Sequence, residues 1–178
     1  MPLDPSEIVT HFIFGKRKIK RKVNYIGVSE ISIQPSAFEP EPNRNDLSVF
    51  QISDIKPQSD IRSIWFIGKF VERVRQDAHL KKHGTDGTNP TNMYGRGDLS
   101  VQQIQELGLH VEPNSSPPRH ANITEFPPFN REKNSASFNT QQKLADRAEG
   151  FLSSEVSPEI TDILNEDVAV RHEFSSLL

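Results

Sequence analysis

The chain has 178 residues, of which 34% are hydrophobic and 25% charged, and its formal net charge is −3. This length fits one domain with appendages, and the low apolar content predicts that part of the chain is not packed into a core. The absence of cysteine excludes disulfides, thiolate zinc sites and a cysteine nucleophile.

The N-terminal segment carries acids where a signal peptide carries lysines, and no stretch approaches the ~18–20 apolar residues of a membrane helix. We therefore expect a soluble, cytoplasmic protein with no membrane partner. The tripeptide Arg96-Gly97-Asp98 and the glycosylation motifs that begin at Asn114 and Asn122 need an extracellular setting. We accordingly expect none of them to be used.

The strongest local signal is a basic run at residues 16–22, which is interrupted by Ile19 alone, and no acid occurs between Ile8 and Ser29. Cations at this density repel one another unless a partner neutralises them. The run therefore predicts a surface that binds an anionic partner. Its candidate residues are Lys16, Arg17, Lys18, Lys20, Arg21 and Lys22.

Three segments in the first third of the chain predict strands. Residues 8–14 and 23–28 are rich in β-branched and aromatic side chains, so the simplest structure over 8–29 is an antiparallel hairpin with a long cationic connection. Residues 47–52 predict a third strand. Because this strand is apolar on both faces, we expect it in a central, covered position.

Residues 59–83 predict the longest helix, since apolar residues recur there at helical spacing. Trp65 belongs to the apolar stripe and should lie in the core. Gly68 should mark a close approach of the helix to the sheet, and Gly84 should end the helix. Three cations on the polar side would enlarge the basic surface if that side lay beside the hairpin: Arg62, Lys69 and Arg73.

The rest of the chain predicts shorter elements. Residues 93–99 and 109–112 predict strands and residues 113–137 an irregular stretch. Helices are predicted over 101–107, over 140–152 and from Ser157-Pro158 to about residue 165.

These elements predict an α+β fold, in which a small mixed or antiparallel sheet packs on one long amphipathic helix (about 59–83). We expect a compact domain over residues 6–130. Residues 131–178 should form an α-helical or partly disordered acidic tail.

Charge divides unevenly along the chain. Residues 8–83 contain 14 Lys and Arg against 8 Asp and Glu, whereas residues 154–178 contain one Arg against six acids. The basic hairpin can therefore contact an acidic protein partner, the phosphate backbone of a nucleic acid, or the chain's own acidic tail over 154–178. Alternatively, the hairpin binds no partner, and its solvated cations keep a sheet edge from pairing with other chains.

A second polar concentration gives the candidate catalytic residues Arg96, Asp98, Arg119, His120 and Asn122. Arginine can clamp a phosphate or carboxylate, and histidine can move a proton near neutral pH. A small hydrolase or transferase centred on Arg96, Arg119 and His120 would need these loops to meet in space. Otherwise their polar groups bond to the local backbone.

Cofactor and metal signals are weak. Neither a P-loop, a dinucleotide fingerprint nor a Gly-x-Ser-x-Gly elbow occurs, so we expect no cofactor. His79 and His83 share a helix face, but Leu80 stands where zinc proteases have glutamate, and a third ligand such as Asp86 or His110 would be needed. We expect no metal.

The sequence thus favours a small binding or accessory protein, a subunit or regulator of a larger assembly, that uses its basic hairpin to contact an acidic partner. A nucleic-acid-binding module that uses the same residues is the first alternative. An enzyme is the second.

Overall fold

The computed structural model describes residues 2–55, 57–84, 92–114, 117–164 and 166. Six of its strands are β1 (Ile8–Ile13), β4 (Leu47–Gln51), β5 (Gly95–Ser100), β6 (His110–Pro113), β7 (His120–Thr124) and β8 (Glu149–Leu152). Two more are β2 (Ile19–Val23) and β3 (Ser29–Ile33). The helices are α1 (Pro57–His83), α2 (Val101–Gln105), α3 (Ala136–Arg147) and α4 (Pro158–Leu164).

The six strands form one antiparallel sheet in the order β6-β7-β4-β1-β5-β8, while β2 and β3 form a separate two-stranded ribbon. An antiparallel sheet with one long helix confirms the predicted α+β class. The described residues contain no helix that is long and apolar enough to cross a membrane.

Side chains alternate between the two faces of the sheet along each strand, and other elements pack on both faces. On one face, Phe12 and Phe50 pack against Ile64 and Ile67 of α1. The other face packs against α3, the ribbon and a short 3₁₀ helix at Pro35–Phe38. The fold therefore has α1 on one side of the sheet, and α3 with the base of the ribbon on the other.

The central position of β4 confirms the prediction from its apolar pattern. It lies between β7 and β1. Leu47 and Val49 point into the core on the α3 side, whereas Phe50 and Ile52 point toward α1.

Helix α1 also forms as predicted. Trp65 is buried, and Gly84 takes the left-handed conformation just after the helix, with φ +68°. Gly68 lies against β1: a Cβ atom placed there would be 2.6 Å from Phe12 Cε1 and 2.6 Å from Met93 Sδ. The glycine therefore allows α1 to approach the sheet.

The predicted pairing of the hairpin over residues 8–29 is wrong. β1 pairs with β4 and β5 instead. The basic run continues directly into β2, which pairs with β3 from Ile19 opposite Ile33 to Val23 opposite Ser29. The hairpin that does form is shifted along the chain, because the apolar β1 can be covered on both faces only inside the sheet.

Residues 24–28, predicted as a strand, are the turn of the ribbon. The side chain of Asn24 accepts hydrogen bonds from the amides of Ile26 (3.1 Å) and Val28 (3.0 Å). Gly27 has a φ of +82°. Asparagine and glycine at this spacing favour a turn, and here they outweigh the alternating apolar pattern.

The sheet extends beyond the predicted limit at residue 130. The predicted helix over 140–152 ends at Arg147, and its last residues form the edge strand β8. Gly150 lets the ribbon pack there, since a Cβ atom would lie 2.7 Å from Ile31 Cγ2. The stretch over 113–137 also contains β7, an inner strand. Residues 165 and 167–178 of the predicted tail lie outside the described residues.

His11 joins layers on the α3 side of the sheet. Its Nδ1 is 2.8 Å from the Ser48 carbonyl oxygen and its Nε2 is 2.9 Å from that of Ala37. A neutral ring can donate to only one of these carbonyls. Burial nevertheless dominates and lowers the pKa of His11 from 6.5 to about 4, although both carbonyls act to raise it.

The contact at Gly68 predicts an unusual outcome for Gly68→Ala. In an ordinary helix interior this change stabilises by roughly 0.5–1 kcal/mol. Here the new methyl group must displace Phe12 and Met93, so we expect the free energy of unfolding to fall by about 1–3 kcal/mol. Urea denaturation would measure it.

Ala78→Gly, at an exposed site on the same helix, is the control for Gly68→Ala and should cost about 1 kcal/mol through helix propensity alone. A gain of stability in Gly68→Ala would contradict the close contact.

The lowered pKa of His11 predicts loss of stability in acid. Between pH 6.5 and 4 the unfolded chain binds a proton that the folded chain does not, so the free energy of unfolding falls as pH decreases through this window. We expect His11→Gln to remove up to ~3 kcal/mol of the pH dependence between pH 7 and 4. Urea denaturation at several pH values would measure it, and parallel profiles for the two proteins would refute the effect.

Candidate functional site

The β2–β3 ribbon has two different faces. Its inner face is anchored on the sheet by Ile19 and Ile33, which are both buried. Gly95 leaves the space for this contact, because a Cβ atom there would lie 2.8 Å from Ile19 Cδ1. Lys20 and Lys22 alternate with Ile19 along β2 and lie on the outer face, where both are exposed.

The tip of the ribbon is apolar and exposed. Four large side chains on and beside the turn, 52% to 99% exposed, are Val23, Tyr25, Ile26 and Val28. The side chain of Asn24 and a backbone bond from its amide to the Val28 carbonyl (2.9 Å) hold the turn closed. Contiguous apolar side chains with no core to enter are typical of an interaction surface. We call Val23, Tyr25, Ile26 and Val28 the apolar tip.

Sequence reasoning missed the apolar tip because the alternation over residues 23–28 also fits a half-buried strand. The signal that distinguishes the two is Asn24 followed three residues later by Gly27. A turn exposes these apolar side chains, whereas a strand would have buried half of them.

The six cations of the basic run do not form one continuous patch. Arg21 donates from Nε and Nη2 to the two carboxylate oxygens of Glu155, at 2.6 and 2.7 Å. Lys22 lies directly opposite Glu30 in the ribbon. Lys18 is partly buried, and its aliphatic part packs over Gly15. Lys16, Arg17 and Lys20 are exposed.

The cations of α1 lie on a different layer from the ribbon. The ribbon base covers the α3 face of the sheet, whereas α1 covers the opposite face. Lys69 Nζ donates to Glu72 Oε1 at 2.6 Å, and the Arg62 guanidinium is 5.9 Å from the centroid of the Phe66 ring. The structure thus does not combine Arg62, Lys69 and Arg73 with the basic run into one face.

Arg96 and Asp98 form a buried pair on β5. Arg96 Nη1 donates to both carboxylate oxygens of Asp98, at 2.7 and 2.6 Å. The guanidinium stacks between Phe151, at 4.2 Å from the ring centroid, and Trp65, at 5.4 Å. Burial lowers the pKa of Arg96 and raises the pKa of Asp98, and the attraction between the two charges opposes both effects.

Arg119, His120 and Asn122 lie at and along β7. Arg119 donates to the Asp54 carboxylate at 2.5 and 2.8 Å, and this bond lowers the pKa of Asp54. The His120 ring packs at a tilt against Phe50 with centroids 5.4 Å apart, and its Nε2 is 3.0 Å from Ser48 Oγ. Burial lowers the pKa of His120. Asn122 lies opposite Ser48 in the sheet.

The structure does not assemble the predicted centre of Arg96, Arg119 and His120. Strands β5 and β7 are separated by β1 and β4, which is about 14 Å at the usual strand spacing. Phe12 and Phe50 lie between them on the same face. Arg96 and His120 therefore cannot act on one small substrate together.

Metal ligands do not converge in the described ranges, where no group of three or more His, Asp or Glu side chains could hold an ion. The rings of His79 and His83 are adjacent, with centroids 4.8 Å apart. Asp86, the third ligand considered from the sequence, lies outside the described residues.

Comparison with known proteins gave no relatives: no family model, no curated protein and no solved structure matches this chain. Function must therefore be argued from the residues and their arrangement.

The two Arg–Asp pairs predict very different costs on truncation. In Arg96–Asp98 the side chains are 3% and 14% exposed, whereas in Arg119–Asp54 they are 19% and 67% exposed. Asp98→Ala leaves a buried guanidinium without its carboxylate and should lower the free energy of unfolding by about 3 kcal/mol or more.

Asp54→Ala, the matched control, should cost at most about 1 kcal/mol, because water can solvate the freed Arg119. Chemical denaturation of both variants measures the difference, and equal costs would show that Arg96 is not effectively buried.

Proposed function

We propose that this protein is an accessory subunit or regulator that binds an acidic surface on a protein partner through the β2–β3 ribbon. The observation that carries the proposal is the apolar tip, which projects beyond a cationic stem. Tyr25 at its end is 99% exposed.

This arrangement matches the anatomy of protein–protein interfaces. Such interfaces have an apolar centre enriched in aromatic residues, surrounded by a polar rim. Tyrosine is among the residues that most often dominate binding energy. The apolar tip supplies the centre, and Lys20 and Lys22 supply a cationic rim that would orient an acidic partner and accelerate its association.

The distribution of charge favours a protein over a nucleic acid. A ribbon that follows a phosphate backbone gains affinity from each cation that neutralises a phosphate. Here Arg21 is already bonded to Glu155, and Glu30 places a carboxylate beside Lys22 on the outer face. These two carboxylates reduce the charge available to phosphates, whereas an interface with an apolar centre tolerates them at its rim.

We also propose that the chain's own acidic segment binds the basic run. The Arg21–Glu155 ion pair supports it, because Glu155 belongs to the acidic segment that begins at residue 154. This pair is partly exposed on both sides, so it should contribute at most ~1 kcal/mol. A protein partner can therefore displace it at little cost.

The proposal predicts that the double substitution Tyr25→Ser with Ile26→Ser weakens partner binding tenfold or more. Immobilised full-length chain would be exposed to nuclease-treated extract of its source cells, and each retained protein would then be purified and titrated by calorimetry. We expect an acidic protein whose affinity falls tenfold or more in the tip variant, and falls further as salt increases.

The matched control is Val74→Ser with Leu80→Ser, which removes two exposed apolar residues from α1 and should leave affinity unchanged. Equal loss in both variants, or retention by the tip variant, would overturn the proposal. Binding of purified chain to generic DNA or RNA with a steep salt dependence would replace it with the nucleic-acid alternative.

A further inference from the structure

A cleft of about 650 Å³ opens on the α1 side of the sheet, away from the ribbon. It lies where β1 begins and β4 and β5 end, between the first turns of α1 and the edge strand β8. Its apolar wall includes Ile8, Ile52, Ile55, Ile64 and Phe151. Clefts of this size with an apolar wall and a few converging polar groups are typical of small-molecule sites.

The polar end of the cleft holds two carboxylates on neighbouring strands. Asp98 of β5 and Glu149 of β8 are directly opposite each other in the sheet, which places their Cβ atoms about 4.5–5.5 Å apart. Both line the cleft. Like charges directly opposite each other destabilise a sheet. Asp98 is largely buried, whereas Glu149 is exposed at the mouth of the cleft.

Arg96 neutralises only part of this charge. Arg96 also lines the cleft. It bonds to Asp98 from Nη1, and its guanidinium is held between Phe151 and Trp65. Its Nε is buried and has no hydrogen-bond partner. With Arg96, Asp98 and Glu149 charged, the polar end carries a net charge of −1.

The second arginine of the cleft is engaged elsewhere. Arg147 Nη1 donates to the Gln103 carbonyl oxygen at 2.7 Å and to Glu106 Oε2 at 3.2 Å. Its charge is thus offset by Glu106, which does not line the cleft. An anionic ligand at the polar end would lie beside the carboxylates of Asp98 and Glu149.

We propose that this cleft binds a small organic ammonium ion, whose charged nitrogen lies between Asp98 and Glu149 and whose hydrocarbon part packs on the apolar wall. The nitrogen would relieve the repulsion between the two carboxylates and restore neutrality at the polar end. A primary ammonium can donate to both carboxylates at once, since it has three N–H groups. Burial raises the pKa of Asp98, and the nearby carboxylate of Glu149 acts in the same direction.

Three six-carbon compounds test the charge preference: hexylammonium, hexanol and hexanoate. Calorimetric titration into the full chain should give saturable binding of hexylammonium and binding at least tenfold weaker for the other two, because charge-assisted hydrogen bonds are about twice as strong as neutral ones. The fluorescence of Trp65, the one tryptophan in the sequence, provides an independent signal because its ring stacks on Arg96.

Glu149→Gln should weaken hexylammonium about tenfold or more, since it keeps the shape of the side chain and removes its charge. Its matched control is Glu112→Gln, an exposed residue of β6 at the far edge of the sheet, which should bind hexylammonium as wild type does. Circular dichroism establishes that both variants are folded.

Equal affinity for hexanol would reduce the cleft to an apolar pocket, and tighter binding of hexanoate would assign it to an anion. Either result, an unchanged Glu149→Gln variant, or absence of saturable hexylammonium binding would overturn the proposal. The outcome is independent of the ribbon, because Tyr25→Ser with Ile26→Ser should leave hexylammonium affinity unchanged.

Discussion

Strand β1 is covered on both faces and paired along both edges, and the rest of the fold depends on this double burial. Its odd-numbered side chains Val9 and Ile13 enter the core under α3, and Phe12 enters the core under α1. Six residues of β1 pair with β5. A strand this apolar cannot remain at an exposed hairpin, because each buried aliphatic or aromatic side chain contributes about 1.5–3 kcal/mol. The hairpin is therefore formed by β2 and β3, which are anchored on the sheet at one end and exposed at the other.

The same central sheet separates the two surfaces that we propose to be functional. The ribbon base packs on the α3 face, and the cleft opens on the α1 face. Glycine allows close packing on both faces. Gly95 and Gly150 leave space for Ile19 and Ile31 of the ribbon, and Gly68 leaves space for Phe12 beneath α1. Because strand side chains alternate, β5 serves both faces: its glycines support the ribbon, and Arg96 and Asp98 supply the polar end of the cleft.

Many of the charged side chains of this protein form local pairs of opposite sign rather than one continuous surface of a single sign. The basic run is nearly continuous along the sequence. In the fold, however, Glu155 bonds to Arg21 and Glu30 lies opposite Lys22. Similarly, Arg96 and Asp98 are two residues apart but lie in a buried aromatic setting that neither the tripeptide nor its composition indicates. What remains exposed on the ribbon is a mixture of apolar and cationic side chains, which suits selective recognition of a protein better than attraction to any polyanion.

The sequence by itself determined the local structure: the long helix, the central strand over residues 47–52 and the close approach at Gly68 all follow from side-chain periodicity and from the special geometry of glycine. It also indicated that Asp98 and Arg96 carry charge at one place. Only the tertiary structure decided the strand order, which separates the strands of Arg96 and His120 by about 14 Å and brings Glu149 opposite Asp98. Strand pairing joins residues some 50 positions apart in the chain, and no local pattern encodes it. For the same reason, the sequence did not show that residues 24–28 form an exposed apolar turn. That follows from the pairing of β1 inside the sheet, which leaves β2 to pair with β3.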